Sequence, residues 1–438
     1  MNKIKLLALL LVLLLLSGCG IPTVDELYCL PKRSEEYNNL QSAIDGVMSG
    51  LQYCAPLSGE NLQTVQMADL DGDGNPEYLL FAKGSTEKPL HILVFREVNQ
   101  EYVLSDTIQC AGAAFDVVQY ARVDDRPGYE LIVGHQVSDQ VTRSVTVYTF
   151  DQGKAAALMS ANYTKFVTCD LNADGRTGLL VLRPGELSEQ NGVAEVYFHT
   201  GGVMERSNQV SMSQSVDRIK RIITGQVHGG YPAVYVASAV DESAIITDVF
   251  TLVQDRLSNI SFSSESGTSV QTLRNYYVYA DDIDNDGVIE LPNLITMGLP
   301  HGASESKMQY LIRWYAMTRE GDEVEKKFTY HNFQGGWYLT LESQWAKQLA
   351  VLQQGNSFDF YIWNEDLTLC RKMLTIYALT GENRDEEAAQ NNRFVLYKGD
   401  QVTYAANLEV ASAAYNITQD TLTKSFHLIH QDWKNGET

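Results

Sequence analysis

Short runs of β-branched and aromatic residues recur along most of the chain, and polar turns carrying Gly, Asn, Asp or Ser separate them. Leu90 to Val98, Val145 to Phe150, Val193 to His199, Ile245 to Val253 and Met308 to Met317 have the composition that suits a pleated, half-buried surface. Tyr102 to Ile108 and Val324 to Tyr330 are more polar and predict outer edge strands. Phe115 to Tyr120 and Tyr276 to Tyr279 lead into polar loops, whereas Tyr78 to Phe81 and Leu179 to Leu182 leave such loops at once. Helical spacing is confined to the ends. Tyr37, Leu40, Ile44 and Val47 predict a helix within Ser34 to Gly50, and Leu422, Phe426, Ile429 and Trp433 predict another over Thr418 to Trp433.

The polar loops repeat. Asp69-Leu-Asp-Gly-Asp-Gly-Asn-Pro-Glu77 returns as Asp282-Ile-Asp-Asn-Asp-Gly-Val-Ile-Glu290, with a partial copy, Asp170 to Gly178, between them. Two eroded copies, Val123 to Glu130 and Gly225 to Pro232, fill the gaps. Each is followed by a strand, and each unit carries four predicted strands. Four strands per unit at this spacing is the signature of β-propeller blades, since one small sheet cannot bury both faces but stacked neighbours bury them for each other. The fold expected is therefore all-β: a propeller of about five four-stranded blades over residues 61–333. The periodicity stops near Gly335, and 334–438, with strands at Trp337 to Leu341, Phe358 to Trp363, Leu369 to Ala378 and Phe394 to Ala405, predicts a small α+β domain.

The full copies place side-chain oxygens at loop positions one, three and five, a glycine at six and a glutamate at nine. A hard cation takes six to eight oxygen ligands, and alternate residues of a tight turn can aim theirs at one point. Asp69, Asp71 and Asp73, the Asn75 carbonyl and Glu77 form one such set; Asp282, Asp284, Asp286, the Val288 carbonyl and Glu290 form another. The middle copy keeps Asp170, Asn172 and Asp174, with Arg176 at position seven, but Gly178 replaces the closing carboxylate, which predicts weaker binding. Arg122 and Arg126 stand at positions one and five of the second copy, where an internal cation replaces or repels a metal. The plain alternative for all of these loops is a solvated Asx-type turn. A helix–loop–helix calcium site would need its last carboxylate at position twelve, which here is Leu80, Val181 or Asn293. The acidic start, the glutamate at nine and the strand that follows resemble instead the FG-GAP and VCBS repeats of integrin-α-type propellers. That resemblance covers about 60% of the chain and implies calcium in the first and last loops.

The start of the chain predicts its compartment. Lys3 and Lys5 precede an apolar run from Leu6 to Leu16, too short to span a bilayer comfortably, so 1–18 reads as a secretion signal. Leu16-Ser17-Gly18-Cys19 resembles the bacterial lipobox, which implies cleavage before Cys19 and a lipid on its sulfur. Residues 19–60 then form a lipid-anchored segment with one helix, and the mature chain is expected on the outer side of a membrane in the cell envelope. Five further cysteines are too few and too odd for a disulfide scaffold; Cys29 and Cys54 either pair or stay free thiols. The net charge of −22 argues against nucleic acid and against docking on anionic lipid through a basic face.

No hydrolase elbow, zinc-protease motif, phosphate loop or Cys-x-x-Cys pair is present. His427 and His430 have a ligand-like spacing but apolar neighbours, and Trp314, Tyr315, Trp337 and Tyr338 form either a sugar-stacking platform or sheet core. The expectation is an extracytoplasmic binding lipoprotein with a calcium-stabilised propeller and a protein or glycan partner. The alternative is an exported polymer-acting hydrolase or lyase with its cleft between the propeller and the C-terminal domain.

Overall fold

Alternating apolar runs become antiparallel sheets throughout the computed structural model, which describes residues 35–137, 142–185, 191–276, 278–300, 302–364 and 369–429. The expected signal, Cys19, Cys29 and His430 lie outside those residues. The protein is mostly β, and its described residues form six antiparallel sheets in chain order. The first holds Val65–Ala68, Glu77–Lys83, Leu90–Val98 and Glu101–Cys110, with the short Gln52–Tyr53 beside the second of these. The second (Ala114–Tyr163), third (Lys165–Ser211) and fourth (Ile219–Asn259) are four-stranded meanders, each strand paired with the next in sequence. The last strand is an outer edge in these sheets and in the first, where the polar run Tyr102 to Ile108 predicts it. Val324 to Tyr330, also expected as an outer edge, is instead interior: Glu323–Asn332 pairs on both sides and buries Phe328 and Tyr330 once Trp337–Leu341 covers it.

Each sheet buries its faces against its neighbours. Phe81, Ile92 and Val94 of the first pack with Phe115, Val118 and Val133 of the second. Val145 and Val147 meet Leu179 and Val181 of the third; Leu180 and Val196 meet Val234 and Phe250 of the fourth; Tyr235 and Val249 meet Leu291 and Tyr315 of the fifth. Helix Glu35–Val47 covers the free face of the first sheet through Leu40 and Ile44, which lie on Leu80, Leu93 and Phe95. No helix among the described residues is long and apolar enough to cross a membrane.

The fifth sheet departs from the sequence pattern. Its strands are Leu291–Thr296, Tyr310–Met317, Glu323–Asn332 and Trp337–Leu341, with Phe426–Leu428 added at the edge. The segment expected as its first strand, Tyr276 to Tyr279, forms no strand among the described residues; Asp281 instead makes an isolated bridge with Glu290. Trp337 to Leu341, placed beyond the 333/334 boundary in the sequence, hydrogen-bonds to the fifth sheet through its whole length. The predicted C-terminal helix is Gln419–Ser425, opened by a reciprocal Thr418–Thr421 cap, and it ends where Phe426 joins the sheet edge opposite Leu339. Burying Phe426 against Trp337 and Tyr404 outweighs continuing a helix along its apolar stripe. The sixth sheet, Leu349–Leu408, shares one core with the fifth, in which Trp337, Tyr330, Phe360 and Phe358 interlock.

Candidate functional site

The acidic loops join the strands that lead into and out of them in the first, second and third sheets, and the fifth loop enters Leu291–Thr296. One local plan builds them. An apolar residue at position two plugs the loop into the core: Leu70, Val123, Leu171 and Ile283 are all buried. The position-one carboxylate organises the turn. Asp69, Asp170 and Asp282 each accept the N–H of the position-six glycine, at 3.1, 2.9 and 2.9 Å. Gly74, Gly175 and Gly287 have φ of 88°, 83° and 84°, a left-handed backbone that a Cβ would strain. At position nine, Glu77, Glu130 and Glu290 accept the position-two N–H of Leu70, Val123 and Ile283 at 2.9, 2.7 and 3.1 Å.

The loops also dock on one another. The position-eight N–H of the second loop, from Tyr129, reaches the Asp69 carbonyl of the first at 3.0 Å. Thr177 of the third does the same to the Arg122 carbonyl of the second at 2.7 Å. In the fifth, Ile289 donates to Gln226 at 2.9 Å, and Gln226 donates back to Gly287 at 3.1 Å. A group that stiffens one loop therefore stiffens its neighbour.

Two of the loops gather carboxylates that could hold a metal ion. Oxygens of Asp69, Asp71 and Glu77 lie within 4.8 Å of one another, as do those of Asp282, Asp284 and Glu290. Glu290 is fully buried, and its Oε1 and the Oδ1 of Asp284 have no hydrogen-bond partner; such orphaned buried oxygens fit a cation. Burial, reinforced by neighbouring aspartates, pushes the carboxyls of both Glu77 and Glu290 up to about 7, and Asp71 is also raised, by burial and by Asp73.

The predicted position-five ligands fall outside these triads. Asp73 and Asp286 use Oδ1 to accept the N–H of Asn75 and Val288, at 2.7 and 2.9 Å, and so cap their own turns. Asp286 also takes the Lys326 ammonium at 2.6 Å, which holds its carboxyl below the usual range. Lys326 lies 3.9 Å from Glu290 as well. Nothing local to the loop signals that lysine, because sheet pairing brings it there from 40 residues away.

The second and third loops carry their own cations. Arg126 grips Asp124 Oδ2 with Nε and Nη2 at 2.8 and 2.6 Å. Arg176 grips Asp174 Oδ2 in the same way at 3.0 and 2.6 Å, and Asn172 donates to that oxygen at 2.9 Å. Burial works upward on Asp124 and Asp174, yet these arginine bonds hold both below the ordinary carboxylate range. Arg176, counted from the sequence with the metal-binding residues of its loop, is thus placed with its guanidinium on the loop's own acid.

A cleft of about 670 Å³ opens where the fifth and sixth sheets meet the loop at 273–276. Arg274, Asn293, Gln309 and His331 line it together with Tyr276 and Tyr310, and Gln353 contributes from the sixth sheet. No Asp or Glu is among its described lining residues. The aromatic platform considered in the sequence is core: Trp314, Tyr315 and Trp337 have no exposure, and Tyr338 stacks on His331 and His427. Cys110, Cys169 and Cys370 are free thiols.

No family model and no curated protein matches the chain. Among solved structures it is similar to rhamnogalacturonan lyase YesW (TM-score 0.30, 12% identity, 74% of this chain and 72% of that one). It is similar also to the Bacillus licheniformis rhamnogalacturonan lyase PL11 (0.31, 10%, 74% and 72%) and to the exotype rhamnogalacturonan lyase YesX (0.26, 12%, 72% and 61%). TM-scores of this size do not establish a shared fold.

Proposed function

We propose that this is a lipid-anchored, extracytoplasmic binding protein of the FG-GAP/VCBS kind, held to a membrane through Cys19. Its first five sheets serve as blades set around an axis, braced by calcium in the first and fifth acidic loops. One observation carries the reading: the two carboxylate triads use the same positions, one, three and nine, of two acidic loops that each run into a strand, and each closes on a buried position-nine glutamate. Calcium, rather than a softer ion, suits an all-oxygen set on an extracellular loop, with dissociation constants of roughly 10⁻⁴–10⁻³ M. Such an ion would be held by Asp69, Asp71 and Glu77, and by Asp282, Asp284 and Glu290. It would neutralise buried charge and, through the interloop hydrogen bonds, stiffen adjacent sheets. A stiff array of sheets presents its connecting loops to a protein or glycan partner.

Thermal unfolding with calcium or with EDTA tests this. A hundredfold excess over the dissociation constant stabilises by about 2.7 kcal/mol per site. Asp71→Asn and Asp284→Asn each remove one site's share; an identical melting temperature with calcium and EDTA would overturn the assignment.

A second reading, an exported lyase acting on a polymer, is favoured by the cleft between the fifth and sixth sheets, which holds arginine and tyrosine. Elimination beside a uronate carboxylate needs a base and a cation to stabilise the developing charge, whereas hydrolysis needs two carboxylates, and none is among the described lining. Ultraviolet absorbance from an unsaturated product on incubation with polyuronates decides for this reading.

A further inference from the structure

The same cleft has a feature that a general binding surface does not need. Arg274 is 5% exposed and spends its bonds on neutral acceptors: Nε on the Val278 carbonyl at 2.5 Å, Nη1 on the Thr272 carbonyl and the Thr247 hydroxyl at 2.8 and 3.1 Å. Its Nη2 has no hydrogen-bond partner, and the ionisable groups it feels most are the phenols of Tyr315 and Tyr279. A guanidinium stays charged in a protein, and burying one without a counter-ion is costly. The chain has 55 acidic residues, yet this cation has no ion pair with any of them among the described residues, and the lining contains none.

The remainder of the lining is neutral and able to hydrogen-bond. Gln309 accepts the Tyr330 hydroxyl on Oε1 at 3.2 Å, which turns that oxygen toward Tyr330 and leaves its NH2 group as a donor. Asn275, Asn293 and Gln334 add further amides, which pair with hydroxyls as donor and acceptor at once. Tyr276 and Tyr310 are 37% and 50% exposed, whereas the large aromatics behind them are buried. Exposed rings supply flat apolar faces for C–H groups, with a polar tip at the edge.

We propose that this cleft binds a carboxylated saccharide, its acid group drawn to the Arg274 side, its rings against Tyr276 and Tyr310 and its hydroxyls on the amides. An acidic peptide would satisfy the arginine but leave the two exposed rings and the row of amides without matching groups. The proposal rests on the reading of the chain as a binding protein and narrows its partner to one class.

Calorimetry on the chain from Gly20 onward, with tetragalacturonate and its carboxyl-reduced neutral form as probes, tests it. The acid form is expected to bind at least about tenfold more tightly than the reduced form, a difference of about 1.4 kcal/mol. Tyr310→Ala, on a half-exposed ring, is expected to weaken the acid form by a similar factor at an unchanged melting temperature. Equal affinity for the two forms, no binding of the acid form at millimolar concentration, unchanged affinity in Tyr310→Ala, or equal binding of a tetra-glutamate peptide would each overturn the proposal. Calcium-dependent melting, read on the same samples, stays intact if only the saccharide assignment fails and vanishes if the calcium-braced reading fails.

Discussion

The first and fifth acidic loops differ from the second and third in one respect that organises the rest. All four share the apolar plug at position two, and those with a position-nine glutamate pin it to the same backbone N–H. In the second and third loops an arginine lies on the loop's own aspartate, whose carboxyl is held low. A buried position-nine glutamate is raised by burial in the first, second and fifth loops, but only the first and fifth, where it reaches about 7, gather it with further carboxylates into a triad. One scaffold thus meets the same electrostatic demand in two ways, with an arginine from within the loop or with a carboxylate triad open to an external ion, and the fifth loop adds to its triad a lysine from a distant strand.

The comparison is sharpest in its pH dependence. Glu77 and Glu290 have folded-state pKa values above the unfolded value, so the folded protein holds their protons longer. For the metal-free protein, stability is greatest below about pH 4.5 for these two groups and is lost as pH rises through about 7, on the order of 3 kcal/mol each. Calcium stabilises the ionised forms, so its effect on melting should grow over the same window. Denaturant unfolding at several pH values, with and without calcium, measures both trends; a calcium effect independent of pH would separate the glutamates from the metal. For Asp124 and Asp174 the sign reverses. Their contribution is present above pH 3.8 and is lost as pH falls through their lowered folded values.

Removing the internal cation comes next in size. Arg126→Ala strips two charge-assisted bonds from Asp124, which is almost fully buried, and one from the Phe150 carbonyl. With the arginine itself nearly half exposed, the expected loss is about 2 kcal/mol by chemical denaturation, and calcium should offset part of it if the loops are interchangeable in kind.

The smallest effect concerns Lys326. Its ammonium sits beside Asp286 and near Glu290, so it competes with a cation in the fifth loop, whereas no ion pair to Asp69, Asp71, Asp73 or Glu77 is found among the described residues. Lys326→Met should tighten calcium at that loop roughly tenfold or less, about 1 kcal/mol, leaving the first loop unchanged; calorimetry in the Asp71→Asn background isolates the fifth site.

Much of this was legible in the sequence. Leu90–Val98 and Ile245–Val253 are strands with the bounds their composition predicts, because a strand buried on both faces shows locally as an unbroken run rich in apolar and β-branched residues. The loop acids were legible for the same reason, through a fixed spacing within nine residues. The signal that went unread was the apolar residue at position two, which recurs in four loops and marks how each is anchored.

What the sequence by itself determined was the β composition, the repeat and the residue types available to each loop. The local Asx turns of Asp73 and Asp286 were also within reach of the sequence, since each spans two residues. The tertiary structure alone decided that Lys326 reaches the fifth site, that Phe426 to Leu428 leaves a helical stripe to extend the fifth sheet, and that Arg274 is buried beneath a cleft without an acid. The reason is common to all three. Local alternation sets which face of a strand is apolar, but which distant side chain ends up beside a charge depends on how whole sheets stack, and no nearby residue carries that information.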